Sequence, residues 1–185
     1  MGTAFDKSTQ RYQEALERGE SIDDAITAAS LTQHRRAVYD AAVVMLEADG
    51  EIDMKELAAR AKISRASLYR YYPDKLAVEA EIAASLVRKM TAAAAEHDDL
   101  VDRADAAIGA LLDFPAGAAA LGPVVAAADL GVISASVEAV VGHPAVTPVL
   151  IGFASIVAPA SRRGDMDAVI DMRDTVMNQF RQSFS

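Results

Sequence analysis

Basic and hydroxyl side chains are concentrated between residues 60 and 75, where they are equipped to bind phosphate. This stretch carries five basic groups and one acidic group, a local net charge of +4, although the whole chain has a net charge of −9. Residues 91–185 carry five basic and twelve acidic groups, a net charge of −7. A small basic face on an acidic body fits binding to phosphate through one limited surface, while the acidic remainder limits non-specific binding.

Two short helices joined by a turn are predicted within residues 53–75 to position these side chains. Asp53 is a good N-cap for the first helix, and Ser64 is a good N-cap for a second helix spanning Arg65–Tyr71. Pro73 ends this second helix, because the residue before a proline resists the α conformation. The pattern predicts a helix-turn-helix, whose second helix lies in the major groove of DNA.

Side-chain length sets the roles expected within the second helix. Arg65 and Arg70 are long enough to reach base edges, and arginine to guanine is the commonest specific contact. Ala66 and Ser67 are short, so they let the helix backbone sit deep in the groove. Leu68 is expected to lie in the core.

A resemblance to a known family rests on the string ISRASLYRYYPDK. It resembles the DNA-binding motif of the TetR/AcrR family of bacterial transcriptional regulators, and the similarity extends over residues 33–80. The matched features are the Leu-Ala pair at 57–58, Ser64, Leu68, Tyr69, the tyrosine pair at 71–72, Pro73 and Lys75. The resemblance implies a homodimeric, ligand-responsive repressor that binds a pseudo-palindromic DNA operator.

The same resemblance assigns DNA contacts to further side chains. It implies that Tyr69 and Tyr71 contact the DNA backbone and that Lys75 binds a phosphate at the start of the following helix. For each tyrosine the alternative is core packing, and for the lysine it is exposure to solvent. Tyr72 is expected to pack inward. The expected DNA-binding set is Ser64, Arg65, Ala66, Ser67, Tyr69, Arg70, Tyr71 and Lys75.

Two positions depart from the family pattern. The family usually has glycine in the turn between the two helices, where a positive φ is convenient, and Lys62 stands there instead. A non-glycine residue in that conformation costs on the order of 1 kcal/mol. The family often has threonine or serine opening the first helix to contact a phosphate. Asp53 can cap that helix but repels a phosphate, so we expect the fold to hold and this contact to be lost.

An all-α fold is predicted throughout, because alanine dominates the composition and favours helix. We expect an N-terminal helical extension at 1–30, a DNA-binding domain at 31–80 and a ligand-binding and dimerisation domain at 81–185. The extension carries three basic and six acidic groups, so it is expected to pack against protein rather than enter a minor groove.

Helix boundaries in the first half follow from the apolar pattern and the breakers. The extension is expected to hold one helix ending near Gly19 and a short helix at Ile22–Ala29. A separate helix at Gln33–Glu47 opens the DNA-binding domain, and a long helix from Lys75 to about Glu96 connects it to the rest.

The C-terminal domain is less well defined by its sequence. Gly122-Pro123 predicts a break in an alanine-rich region. Ala139–Ser161 carries no formal charge, but its three prolines favour a buried dimer-interface helix over a membrane span. A last helix follows Gly164 with apolar residues at near-heptad spacing. By resemblance, the last two helices form a four-helix bundle with a second subunit, and packing within one chain is the alternative.

An apolar or amphipathic small-molecule effector is expected to bind the C-terminal domain. Candidate pocket residues are mostly apolar, and ordinary core packing is the alternative for each of them. They are Met90, Leu111, Phe114, Val125, His143 and Phe153.

Enzymatic chemistry is disfavoured by what the sequence lacks. The chain has no cysteine, its three histidines are isolated at 34, 97 and 143, and no Ser-His-Asp order or glycine signature occurs. His97 with Asp98 and Asp99 is a poor metal site on one element, so no metal or cofactor is expected. We expect a cytoplasmic protein, since cysteine is absent and no apolar leader opens the chain. The alternative function is a helical dimeric interaction module that has lost sequence-specific DNA binding.

Overall fold

Helices make up all the regular secondary structure in the part of the chain that the structure describes. The computed structural model describes residues 22–127, 139–142 and 146–183 of the 185-residue chain. The all-α prediction is therefore confirmed. The helices are α1 (Ile22–Ala48), α2 (Met54–Arg60), α3 (Arg65–Tyr71), α4 (Lys75–Ala94), α5 (Leu100–Leu112), α6 (Pro115–Ala127), α7 (Thr147–Arg163) and α8 (Met166–Ser183).

Side-chain caps begin the helices of the helix-turn-helix, as predicted for α2 and α3. Asp53 Oδ1, Ser64 Oγ and Asp74 Oδ1 each accept a hydrogen bond from a backbone N–H three residues ahead, at 2.7, 3.0 and 2.8 Å. Each bond satisfies one of the N–H groups that a helix N-terminus leaves without an intrahelical partner. The turn contains Lys62 with φ 56°, which confirms the predicted left-handed residue.

One continuous helix replaces the two helices predicted for the region before α2. Separate helices were expected at Ile22–Ala29 and Gln33–Glu47, whereas α1 runs without interruption over Ile22–Ala48. The intervening residues at 30–32 include neither proline nor glycine, so no local signal stops the helix. The helix expected to end near Gly19 lies outside the described residues.

The C-terminal helices pack around α4 and α6. α4 lies along α5 and α6, α6 packs on α7, and α8 packs on α5 and α7. Gly117 permits the close approach of α6 to α4, because a Cβ there would lie 2.8 Å from Leu86 Cβ and 2.5 Å from Phe114 Cδ1. The predicted break at Gly122-Pro123 is wrong, since α6 continues to Ala127. Its packing against both neighbours outweighs the local penalty of the proline.

No single helix within the described ranges is long and apolar enough to cross a membrane. α5 and α6 meet the length and composition criteria only when taken together, and the pair is bent by 103°.

Candidate DNA-binding interface

The outward face of α3 carries four of the residues predicted to contact DNA. Arg65, Ala66, Tyr69 and Arg70 are exposed, and Tyr69 keeps 43% of its surface accessible. Their spacing places them on one side of the helix, while Leu68 on the other side is fully buried. The helix therefore presents two cationic side chains and one phenol to solvent on a single face.

Ser64 and Ser67 form a local hydrogen-bonded pair at the start of α3. Ser64 Oγ accepts a bond from the backbone N–H of Ser67, and the two hydroxyl oxygens lie 2.9 Å apart. One hydroxyl donates to the other, which leaves one hydroxyl proton of the pair to donate outward. The pair thus combines helix capping with a donor that suits a phosphate oxygen.

The two arginines of this face are held differently. The Arg70 guanidinium stacks on Tyr71, with Cζ 4.9 Å from the ring centroid, and Nη2 donates to the phenol oxygen at 2.7 Å. The phenol oxygen of Tyr71 in turn lies 3.5 Å from His34 Nδ1 of α1, and the Tyr71 side chain is half-buried. Arg65 makes no hydrogen bond or ion pair with any described residue. One arginine is therefore held against the domain, and the other extends freely from the start of the helix.

Tyr72 packs inward, as predicted, and joins the end of α3 to two other helices. Its side chain is 3% exposed, and its hydroxyl donates to Glu81 Oε2 of α4 at 2.6 Å. Arg35 of α1 donates to the same oxygen at 3.3 Å. Burial and the bond to Glu81 raise the pKa of Tyr72 to about 12, so the phenol stays protonated. This network fixes the orientation of α3 relative to α1 and α4.

Lys75 opens α4 beside the N-cap Asp74, at the position expected to bind a phosphate. Its side chain is 46% exposed, and Nζ lies 3.6 Å from Oε1 of Glu79. The Glu79 carboxylate is buried, and this burial raises its pKa, although Lys75 opposes the shift. The Lys75 ammonium group therefore pairs with Glu79 and remains accessible to solvent.

Asp53 and Glu56, the acidic residues at the start of α2, bind groups of that same helix. Asp53 Oδ1 is engaged in capping the helix, and Glu56 forms an ion pair with Arg60 at 2.6 Å. Because the Asp53 carboxylate is negatively charged and caps the helix, the geometry is consistent with a lost phosphate contact from this residue at the opening of α2. That expectation stays a prediction.

The predicted pocket residues lie mostly in the core. Met90, Leu111, Phe114 and Phe153 are buried, and Val125 is half-buried. His143 lies outside the described residues. An open groove of about 570 Å³ lies elsewhere, between residues 32–40 of α1 and 81–88 of α4, and none of these five residues lines it. The assignment of an effector pocket to them stays a prediction.

Asp99, which follows His97 and Asp98, has a structural role in the fold. Asp99 Oδ1 caps α5 by accepting a hydrogen bond from the backbone N–H of Val101 at 2.8 Å. Among the described residues, no three histidine, aspartate or glutamate side chains are grouped closely enough to hold a metal ion.

Sequence reasoning missed the residues that hold α3 from behind. His34, Arg35 and Glu81 lie on other helices, and no spacing along the chain relates them to Tyr71 or Tyr72. Their roles depend on how α1 and α4 cross the end of α3. Only the prediction that the Tyr72 side chain packs inward indicated a contact of this kind.

The family whose model matches the chain is described as bacterial regulatory proteins, tetR family, and the match covers residues 39–82. These residues include most of the described α1 after His34, all of α2 and α3, and the first part of α4. The match covers 44 of the 185 residues and supports a helix-turn-helix of the TetR-family kind in this part of the chain. TetR-family regulators generally bind DNA and are not enzymes. No curated protein and no solved structure gives a significant match to the chain.

Proposed function

We propose that this chain is a homodimeric, ligand-responsive repressor of the TetR family that reads a pseudo-palindromic operator through α3. The observation that carries the proposal is the exposed face of Arg65, Tyr69 and Arg70 on a helix fixed from behind by Tyr72 and Glu81. Two such helices about one DNA turn apart, roughly 34 Å, would read the two half-sites.

Support for a dimer comes from the apolar surface of α8. Val169 and Met177 are buried within the chain, but Ile170 and Met172 remain 40% and 48% exposed. The apolar part of α8 is therefore wider than the surface that one chain covers. A second copy would bury the exposed part. Ile170→Lys is expected to shift sedimentation equilibrium toward monomer, whereas Asn178→Lys, a change at an exposed polar position, is expected to leave it unchanged.

Two contacts support communication between the C-terminal helices and the helix-turn-helix. Gly117 lets α6 lie against Leu86 of α4, the helix whose other end follows α3. The Arg162 guanidinium of α7 packs on Gly50, in the loop between α1 and α2, where a Cβ would lie 2.5 Å from Nη1. A ligand that moves α6 or α7 would therefore change the placement of α3, and its differential affinity for the two arrangements would release DNA.

Electrophoretic mobility of the promoter region of the chain's own gene tests the proposal directly. The wild type is expected to give a sequence-specific shift, and Arg70→Ala is expected to weaken it by about 10- to 100-fold, because an arginine–guanine contact contributes about 1–3 kcal/mol. Arg163→Ala is the matched control, since this exposed arginine lies on α7 and pairs with Asp165. Dimerisation without any sequence-specific shift would instead favour a helical interaction module.

A further inference from the structure

Glu79 of α4 is the one charged residue that lies buried in the core within the described ranges. It is 2% exposed. Ile82 and Ala83, three and four residues further along the helix, are buried as well, so this face of α4 is turned toward the protein interior. A buried carboxylate is costly unless it is paired, so its partner decides what it can do.

Lys75, one helical turn before Glu79, is that partner. Its Nζ lies 3.6 Å from Glu79 Oε1, and the lysine side chain is 46% exposed where that of the glutamate is 3% exposed. Side chains of a helix lean toward its N-terminus, so the Glu79 carboxylate leans toward the first turn, where Lys75 lies. The pair therefore joins a buried carboxylate to an ammonium group that solvent reaches.

The stability of α4 does not explain a lysine at this position. A cation in the first turn of a helix interacts unfavourably with the helix dipole. Lysine followed by glutamate four residues later is also the less favourable order for an ion pair along a helix. A cation at the start of α4 is suited instead to an anion outside the chain, and a backbone phosphate is the anion that the proposed function supplies.

Two charged groups act on the Glu79 carboxyl, and both belong to the start of α4. Burial is the largest cause of its raised pKa, Lys75 lowers the pKa, and Asp74, the N-cap, raises it. Among the described residues, no cation of another helix pairs with Glu79. The charge of Glu79 therefore depends chiefly on whether the Lys75 ammonium stays beside it.

A phosphate bound by Lys75 would change this balance. The ammonium group would move toward the phosphate, whose negative charge would further disfavour the ionised carboxyl, so the pKa of Glu79 would rise. The DNA-bound state would then hold more protons than the free state, and affinity would increase as the pH falls. The increase begins near the pKa of Glu79 in the DNA-bound state and is complete below its pKa in the free protein.

We propose that Glu79 sets the affinity of this protein for DNA by competing with a backbone phosphate for Lys75. It holds the ammonium group in the free protein and takes up a proton from solvent when Lys75 transfers to the phosphate. The inference rests on the proposed function and on the role expected there for Lys75. It adds a buried residue, remote from the DNA-reading face of α3, that makes DNA binding dependent on pH.

Fluorescence anisotropy from about pH 5 to 8 at constant ionic strength tests the proposal on the full-length protein. The probes are a labelled duplex from the promoter region of the chain's own gene and a scrambled duplex of the same composition. At the alkaline end, Glu79→Gln is expected to bind both about 2- to 5-fold more tightly than the wild type, the gain from releasing a partly exposed ion pair. The two affinities are expected to converge at the acid end, where the wild-type carboxyl is neutral like the amide.

The difference between glutamate and glutamine at position 79 should require Lys75. Lys75→Met is expected to weaken DNA binding, and the double variant with Glu79→Gln is expected to bind as Lys75→Met does at every pH. Glu96→Gln is the matched control, because this exposed glutamate lies beyond the other end of α4, and it should follow the wild type. A pH dependence that all the variants share belongs to other groups.

Carbon-detected NMR of the Glu79 carboxyl measures the same coupling without DNA. Its signal is the glutamate signal that Glu79→Gln lacks. The titration midpoint is expected to lie above the ordinary glutamate value and to rise further in Lys75→Met, because the neighbouring positive charge is lost. An unchanged midpoint in Lys75→Met would overturn the inference, since Lys75 would then not act on this carboxyl.

Two binding results would also overturn the inference. The first is weaker binding by Glu79→Gln than by the wild type at the alkaline end, and the second is an identical pH profile for both chains. The scrambled duplex separates the two levels of the account. Equal proton-linked binding to both duplexes would contradict only the sequence-reading repressor, and promoter-specific binding without proton linkage would contradict only the role of Glu79.

Discussion

Arginines of the helix-turn-helix and arginines of the C-terminal helices lie in different electrostatic surroundings. Arg65 and Arg70 on α3 have no carboxylate partner among the described residues, whereas Arg173 and Arg181 on α8 pair with acids of α5. An arginine that pairs within the chain ties two helices together, and one that does not is available to a ligand outside the chain. The comparison separates cations that tie helices together from cations that we propose to bind DNA.

The largest effect on stability is expected from truncating the buried apolar side chain of α3, not from removing one of its charges. Leu68→Ala removes a fully buried side chain and is expected to lower the free energy of unfolding by about 2–5 kcal/mol. Urea denaturation followed by circular dichroism measures the loss. Leu76→Ala, at a 38% exposed position of α4, is the control and is expected to change stability by less than about 0.5 kcal/mol. Equal effects at both positions would contradict the assignment of Leu68 to the core.

Removing a positive charge from the exposed face of α3 should weaken DNA binding without changing stability. Arg65→Ala is expected to weaken operator binding by about 1–3 kcal/mol while leaving the unfolding transition unchanged, because this side chain has no partner in the described part of the fold. Fluorescence anisotropy of a labelled operator gives the binding constant. Loss of stability without loss of affinity would place Arg65 among the structural arginines.

The reverse pattern is expected for a paired arginine. Arg173→Ala breaks a partly buried ion pair with Asp105 and is expected to cost about 1–2 kcal/mol of stability, with unchanged affinity for DNA per folded dimer. The matched control is Arg163→Ala, which breaks a pair between two exposed side chains and should change stability by less than about 1 kcal/mol. A selective loss of DNA binding by Arg173→Ala would remove the contrast between the two regions.

A smaller effect is expected from pH, through the network behind α3. The pKa of Tyr72 is raised from its ordinary 10.0 to about 12, chiefly by burial and then by the bond to Glu81. Since the folded chain holds this proton more tightly than the unfolded chain, the stabilisation is complete below pH 10 and is lost as the pH rises toward 12. The loss is below about 1 kcal/mol at a pH of about 10.5.

Comparison of wild type with Tyr72→Phe isolates this contribution. The wild type should lose stability faster than the variant between pH 10 and 12, and ultraviolet titration should show one late-titrating phenol that the variant lacks. Parallel pH profiles for the two chains would mean that Tyr72 does not hold its proton in the fold.

Residue-level prediction succeeded where local signals fix the structure. Asp53 and Ser64 specify helix starts through their own side chains, Pro73 specifies an end, and the left-handed residue falls at Lys62 as predicted. Each of these signals acts within a few residues, so the sequence contains the whole argument. The fold of the helix-turn-helix follows from such signals together with the buried Leu68.

Contacts between helices could not be predicted in the same way. The unbroken α6 was missed because packing against its neighbours outweighs local propensity, and the bond from Tyr72 to Glu81 depends on a crossing of two helices. Small alanine side chains, common in these helices, give no pattern that distinguishes one packing partner from another.

Selection of bound fragments from genomic DNA of the source organism, at two salt concentrations, tests the central claim most directly. The account predicts an enriched pseudo-palindrome whose affinity falls steeply with salt for the wild type, and less steeply for Lys75→Ala, because each phosphate contact contributes about 0.9 to the slope. Equal enrichment of all fragments at both salt concentrations would contradict the claim that α3 reads DNA sequence.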